Sequence, residues 1–386
     1  MKNALLLFSI FLLVSCTYNP PRKGNSEAVE EAKETEPSGL PLSTIRLPEG
    51  FKIDVFADKV VNARSLELSP EGTLYVGTRD EGNVYALRDT DNDGKADERY
   101  TLLTGLNMPN GVAFKDGDLY VAEVSRIIKL ENIEANLQNP PKPVVVYDDY
   151  PTDKHHGWKY IAFGPDEKLY VPVGAPCNIC KSDKEIYASL TRLDTDTKKM
   201  DIVQHGIRNT VGFTWHPEDK KLWFTENGGD RMGDDIPACE LNHAPQEGMH
   251  FGYPYIHQGD LPDPDHGKGK KPSDYTAPVQ NLGAHVAPLG MEFCPSASFP
   301  ASYKNQILFA EHGSWNRSKK IGYRVMMVTL DENQKSTGYK PFAEGWLDEE
   351  TDEVWGRPVD LEFLPDGSML LSDDFADVIY RISYTG

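Results

Sequence analysis

Positive charge is scarce in this chain. Across 386 residues, 40 Lys and Arg stand against 60 Asp and Glu, a formal net charge of −20. Phosphate backbones would be repelled, so no nucleic-acid partner is expected. Long apolar runs are missing after the first residues, so no further membrane span is expected. Cysteine is sparse: Cys16, Cys177, Cys180, Cys239 and Cys294 are the whole complement. Lys181 follows the Cys177-Asn178-Ile179-Cys180 pair where a His would be needed, which excludes c-type haem attachment. Zinc at that pair would need two further ligands, and no clean partner pair is visible.

The one apolar run, Ala4 to Val14 behind Lys2, is too short to span a bilayer and reads as a targeting segment at 1–15. It ends Leu13-Val14-Ser15-Cys16, which resembles a bacterial lipobox. That resemblance implies lipid on Cys16 and an exported lipoprotein facing periplasm or cell surface, held to the membrane through its anchor only. The alternative is an ordinary secretory leader with a chance cysteine. Residues 16–43 are rich in Glu, Pro, Ser and Lys and read as a tether too polar to fold alone. Residues 44–386 read as one domain. Export permits disulfides, and a structural bridge between Cys177 and Cys180 is expected; Cys239 and Cys294 read as buried thiols.

Within that domain one phrase returns six times. An alternating apolar strand passes through a Gly/Pro/Asp turn into a second strand. The first strands contain Leu66-Glu67-Leu68, Val112-Ala113-Phe114, Ile161-Ala162-Phe163, Phe213-Thr214-Trp215, Met291-Glu292-Phe293 and Leu361-Glu362-Phe363. The second strands carry Leu74, Leu119, Leu169, Leu222, Leu308 and Leu370. Short strands repeating at roughly 40–50 residues indicate a β-propeller. The fold class is therefore all-β, a six-bladed β-propeller. The sixth repeat lacks a fourth strand, and Phe51–Phe56 belongs to no repeat. That segment is expected to complete the last blade and close the ring.

In a meander, the start of strand 1 and the end of strand 2 share one rim. Polar clusters there converge on one channel mouth. Before strand 1 of blade three stands Asp153-Lys154-His155-His156-Gly157-Trp158-Lys159, with imidazoles suited to proton transfer. Before strand 1 of blade four stand Arg208 and Asn209. After strand 2 of blade four comes Glu226-Asn227-Gly228-Gly229-Asp230, whose carbonyl and carboxylate oxygens suit a hard cation. Blade five adds Glu311 to Lys320, with Arg317 and Lys319, and blade six opens with Gly356-Arg357. Together they suit a small polyanion. Separately, Asp89, Asp91, Asp93 and Asp97 alternate around Gly94 like the opening of a calcium loop. Tyr100 stands where an EF-hand has Glu, so the choice is a calcium loop between strands or a bare acidic hairpin.

The runs His155-His156-Gly157-Trp158-Lys159, Arg208-Asn209, Glu226-Asn227-Gly228-Gly229, Phe251-Gly252-Tyr253-Pro254 and Gly356-Arg357-Pro358-Val359-Asp360 resemble the glucose/sorbosone dehydrogenase family. Leu106 to Gly111 and Val171 to Cys177 are most like its L-sorbosone dehydrogenase branch. The likeness spans residues 47–384. It implies an oxidoreductase that oxidises a sugar or aldehyde by hydride transfer to pyrroloquinoline quinone, with calcium. It implies His155 as base, Arg208 as catalytic and quinone-binding, and Asn209 and Arg357 as quinone-binding. Arg317 or Lys319 would replace a family Lys, and the carbonyls of Gly228 and Gly229 would hold the active-site calcium. Ala175 stands where the family has an Asp that orients the base, which leaves that work to Asp153. Tyr255 to Gly283 reads as a substrate-selecting lid. A separate electron acceptor is implied. The competing readings are a calcium-dependent propeller lactonase and a non-catalytic carbohydrate-binding propeller.

Overall fold

The computed structural model describes residues 39–295 and 299–386, with Met1. The leader at 1–15, Cys16 and the tether through residue 38 lie outside the described residues. The rest is β-structure with four short 3-10 turns. Six antiparallel sheets follow one another along the chain, spanning residues 63–103, 111–147, 162–205, 213–284, 288–344 and 358–384. Each runs from an inner strand at the channel to an outer strand. Blade three gains a fifth strand, Met249–His250, which pairs in parallel with Met200–His205.

The sixth sheet has only three strands of its own. Its fourth is Phe51–Ala57, antiparallel to Val378–Tyr384 with Phe51 opposite Tyr384 and Ile53 opposite Ile382. First and last strands therefore share one ladder.

Alternation along each strand decides what it buries. In Leu74–Thr78, Leu74 and Val76 face the cluster shared with blade six, whereas Tyr75 faces the cluster shared with blade two. Six apolar clusters result among the described residues, one at each blade-to-blade interface. Inner strands approach closely at glycine: a Cβ on Gly212 would lie 2.0 Å from the Leu289 carbonyl oxygen, and one on Gly290 1.9 Å from Asp360 Oδ1. The inner strand of blade three is only Ala162–Phe163, shorter than the sequence suggests. The Lys159 carbonyl just before it is taken by the Asn110 side-chain amide at 2.9 Å, outside the ladder.

Candidate active site

A cavity of about 190 Å³ opens on the rim where inner strands begin and second strands end. Four guanidiniums surround it: Arg64, Arg79, Arg208 and Arg357. Arg64 is 1% exposed and pairs with Asp374 at 2.8 Å, while its Nε donates to Asn110 Oδ1 at 2.8 Å. Arg79 lies over the Trp158 ring, 4.7 Å from its centroid. Arg357 Nη2 donates to His312 Nδ1 at 2.9 Å. Two buried donors on this wall, Arg357 Nε and Trp158 Nε1, have no hydrogen-bond partner among the described residues. Guanidiniums keep their protons; Arg64 is already offset by Asp374 and Arg208 by Asp230, whereas Arg357 has no carboxylate within ion-pair distance among the described residues, which leaves room for an anion.

Arg208 is held from three sides. Its Nε donates to the Asn178 carbonyl at 2.8 Å and its Nη1 to the Asn227 carbonyl at 3.2 Å. Its Nη2 reaches Asn178 Oδ1 at 2.8 Å and Asp230 Oδ2 at 2.7 Å. One Nη1 proton is left over. Asn178 sits inside the loop tied by the Cys177–Cys180 disulfide, and Tyr253 Oη accepts the Cys180 N–H at 3.0 Å. The bridge thus fixes the loop that fixes Arg208.

Within the histidine pair, His156 rather than the expected His155 faces the cavity. His156 lines the cavity and is 9% exposed; His155 is exposed and does not. The two ring centroids lie 4.1 Å apart, with the planes tilted by 52°. His156 takes φ +51°, and Nδ1 lies 2.9 Å from the Ala175 carbonyl oxygen. A carbonyl only accepts, so Nδ1 carries the proton and Nε2 keeps its lone pair. Burial, then Arg208 and His155, push the His156 pKa down to about 2, so the ring is neutral near pH 7. Asp153 does not orient it; its carboxylate accepts the Tyr187 hydroxyl. The carbonyl that holds the His156 ring belongs to Ala175, the position where the resemblance implies an Asp.

A second imidazole, His312, is locked. Its Nδ1 accepts from Arg357, so its Nε2–H donates to Asp374 at 2.8 Å. Burial pushes its pKa down to about 4. Burial opposes ionisation of Asp374, yet His312, Arg64 and Arg357 hold its carboxyl well below the usual range.

Gly228 lies on the cavity wall, its N–H 3.5 Å from Cys239 Sγ. Gly229 lies behind it, where a Cβ would come 3.0 Å from Ile179. Neither carbonyl oxygen accepts a hydrogen bond among the described residues. Asn209 also lines the cavity. Arg317 and Lys319 do not. Arg317 is drawn to the acidic end of the blade-four loop, bonding the Asp234 carbonyl and lying 3.2 Å from Asp235 Oδ1. The Lys319 carbonyl accepts from Arg317 Nε at 3.2 Å. The wall they were expected to supply is made by Gly313 and Trp315.

In the acidic loop, carboxylate oxygens of Asp89, Asp91 and Asp97 converge within 4.8 Å. Asp93 does not join them; its carboxylate accepts the Lys95 N–H at 2.8 Å. The expected lid carries two short pairing strands, Ile256–His257 and Leu261–Pro262, and a buried His257–Asp263 pair at 3.0 Å. No helix among the described residues is long and apolar enough to cross a membrane.

Sequence reasoning missed Arg64, Arg79 and Trp158 as cavity groups, and Asp374 as the partner of Arg64 and His312. Three of them obey the rim rule: Arg64 begins an inner strand, and Arg79 and Asp374 follow second strands. They sit in the first and last repeats, where no striking cluster marks the sequence.

A family profile described as "Domain of unknown function (DUF7133)" matches residues 39–382. An uncharacterized protein of Borreliella burgdorferi is 32% identical over 358 residues, which is 89% of this chain and 91% of that protein. Among solved structures, a calcium structure of a Trichoderma reesei enzyme of carbohydrate-active family AA12 superposes with TM-score 0.77 at 19% identity. The match covers 88% of this chain and 97% of that one. The holo pyranose dehydrogenase PQQ domain of Coprinopsis cinerea gives 0.76 at 17% identity, over 88% and 97%. The PQQ-bound aldose sugar dehydrogenase of Streptomyces coelicolor gives 0.62 at 19% identity, over 88% and 99%. At these identities the likeness establishes a shared fold.

Proposed function

The chain belongs to the DUF7133 family, and we propose that it is an oxidoreductase oxidising a sugar or aldehyde with pyrroloquinoline quinone and calcium. The observation that carries this is the arginine-walled cavity. Four guanidiniums, two of its buried donors without partners, suit a compact planar polycarboxylate. The unpartnered carbonyls of Gly228 and Gly229 suit a hard cation beside it. Solved structures with this fold include PQQ-bound sugar dehydrogenases, which supports the same reading.

Arg64, Arg79 and Arg357 would hold the carboxylates, and Arg208, fixed by Asn178 and Asp230, would offer its remaining N–H at the reacting end. When bound, the quinone with its calcium supplies a two-electron acceptor. The chain's own contribution is proton handling and orientation. His156 Nε2 is neutral, unprotonated and fixed by Ala175, so it accepts the proton of the substrate hydroxyl as the C–H bond breaks. Electrons then pass to a separate acceptor. The Asp89–Asp91–Asp97 cluster would hold a structural calcium: Asp91→Ala should lower the melting temperature in calcium but not in chelator, and an equal drop in both removes that site.

The test of the main reading is direct. Purified chain receives the quinone and calcium, and binding is followed by absorbance and by reduction of a dye with aldoses and aldehydes. Absence of both binding and dye reduction overturns it. We also read the protein as an exported lipoprotein anchored at Cys16. Radiolabelled fatty acid should enter the wild type and not Cys16→Ser; label in both would refute the anchor.

A further inference from the structure

The rim that holds the arginine cavity also shows most of the protein's exposed apolar side chains. Among the described residues the two most exposed aromatic rings are Trp315, 68% exposed, and Phe375, 58% exposed. Trp315 follows the second strand of blade five, and Phe375 that of blade six. Ile236, after the second strand of blade four, and Val61, just before the inner strand of blade one, are exposed as well. All four lie on the cavity's rim. Hydrogen bonds join their turns into an arc. The Ser318 N–H donates to Asp234 Oδ1 at 3.1 Å, which sets the Trp315 loop against the Ile236 loop. His312 donates to Asp374 at 2.8 Å, which sets the Trp315 loop against the Phe375 turn. The Asn62 N–H donates to Asp377 Oδ1 at 2.7 Å, which brings Val61 to the same turn. Apolar tips on one rim, flanked by Arg317 and Lys319, suit the boundary between lipid headgroups and acyl chains, where indole and basic side chains are favoured.

The chain enters the described fold on this side too. Arg46 pairs with Glu344 in an isolated bridge, and Thr44 Oγ1 donates to the Gly345 carbonyl at 3.1 Å. Glu344 stands opposite Arg324, and Arg324 opposite Glu311 at the end of a second strand, so Glu344 marks the cavity's rim. Arg46 shares a cleft there with Lys320, five residues beyond Trp315. The chain from Cys16 to Gly39 reaches at most about 80 Å. An anchor at Cys16 therefore lets this rim meet a bilayer without the chain passing around the disc.

We propose that the arc is a membrane-docking face, with Trp315, Phe375, Ile236 and Val61 set into the outer part of the leaflet that carries the anchor. The choice of lipid as partner rests on the Cys16 reading. Docking lays the arginine cavity against the bilayer and leaves the side of blades two and three, where His155 is exposed, open to a polar substrate. The experiment reads Trp315 itself. The full chain is mixed with phosphatidylcholine vesicles whose acyl chains carry bromine, a contact quencher of indole; these lipids are zwitterionic, so the protein's net charge of −20 does not oppose binding. Emission should fall in the wild type and stay constant in Trp315→Phe, which keeps an apolar ring but removes the reporter. In a Cys16→Ser background, Phe375→Ser with Ile236→Ser should weaken vesicle binding by about tenfold or more, since burying one apolar side chain is worth a factor of that order. Equal quenching of wild type and Trp315→Phe, or binding indifferent to the double change, overturns the docking face whatever the fatty-acid label shows at Cys16. Self-association without lipid quenching, lost in the double variant, would assign the arc to a second copy of the chain and overturn it equally.

Discussion

The two ends of the channel hold ionisable groups of opposite sign, and the protein treats them differently. At the mouth stand Arg64 and Arg357. Three to five residues further along the same inner strands stand Glu67, Asp360 and Glu362, about 10 Å deeper at the strand rise. Blade five adds Glu292 at the equivalent position. Each deep carboxylate can lose its charge by taking a proton. Burial pushes Glu67 and Glu292 up to about 8 and Asp360 to about 7, and pushes Glu362 in the same direction. Most also bridge blades. Glu67 accepts the Phe114 N–H at 3.0 Å, Asp360 the Leu66 N–H at 2.9 Å, and Glu292 the Thr214 hydroxyl at 3.2 Å. The arginines have no such escape. The deep charge is optional and ties inner strands together; the charge at the mouth is obligatory and calls for a ligand.

The largest expected effect tests the mouth. His156→Ala should cut quinone-dependent turnover by roughly 10²–10⁴, the usual worth of a positioned base, with quinone affinity little changed. His155→Ala should cost far less. A reversed order would return the base to the exposed ring. Next in size, Arg357→Ala removes a guanidinium with an unpartnered Nε. It should weaken quinone binding, read by absorbance titration, by about 10–100-fold, as expected for a charged hydrogen bond. Unchanged affinity would mean that the mouth's charge serves the fold, as the deep charge does.

The smallest effect tests the deep end. A carboxyl raised in the folded state binds protons that the unfolded chain has released, so it costs stability as pH rises from the ordinary value toward the folded one. Histidines lowered by burial, His156 and His312 among them, act oppositely below about 6.5. Lys159, lowered by burial to about 7, acts oppositely above that value, so the clean window is about 6.5 to 7. There the quinone-free melting temperature should fall as pH rises, and less steeply in Glu292→Gln. Parallel slopes for the two proteins would break the contrast between the two ends.

Repeats, blade number and the odd N-terminal strand were legible because period and alternation are local properties of the chain. So was the rim, since meander geometry follows from strand order. Arg208, Asn209, Gly228 and Arg357 were legible for the same reason. Which ring of the His155–His156 pair faces the cavity was not. It turns on a left-handed backbone at His156 and a carbonyl nineteen positions away at Ala175. Arg317 misled because its partners, Asp234 and Asp235, come from another blade. Asp93 lies apart from the three carboxylates that converge, its own oxygen taken by the Lys95 N–H.

The shared ladder of Phe51–Ala57 and Val378–Tyr384 also sets a schedule for synthesis. The first strand leaves the ribosome some tens of seconds before its partner, at ordinary translation rates of roughly 5–20 residues per second. For that interval five blades can assemble while Phe51, Ile53 and Val55 lie along an unpaired edge. The only complementary strand within reach belongs to a finished neighbour. Newborn chains crowded on one message therefore face a choice between waiting for their own last strand and borrowing another's, and linked rings rather than misfolded blades are the error this architecture invites.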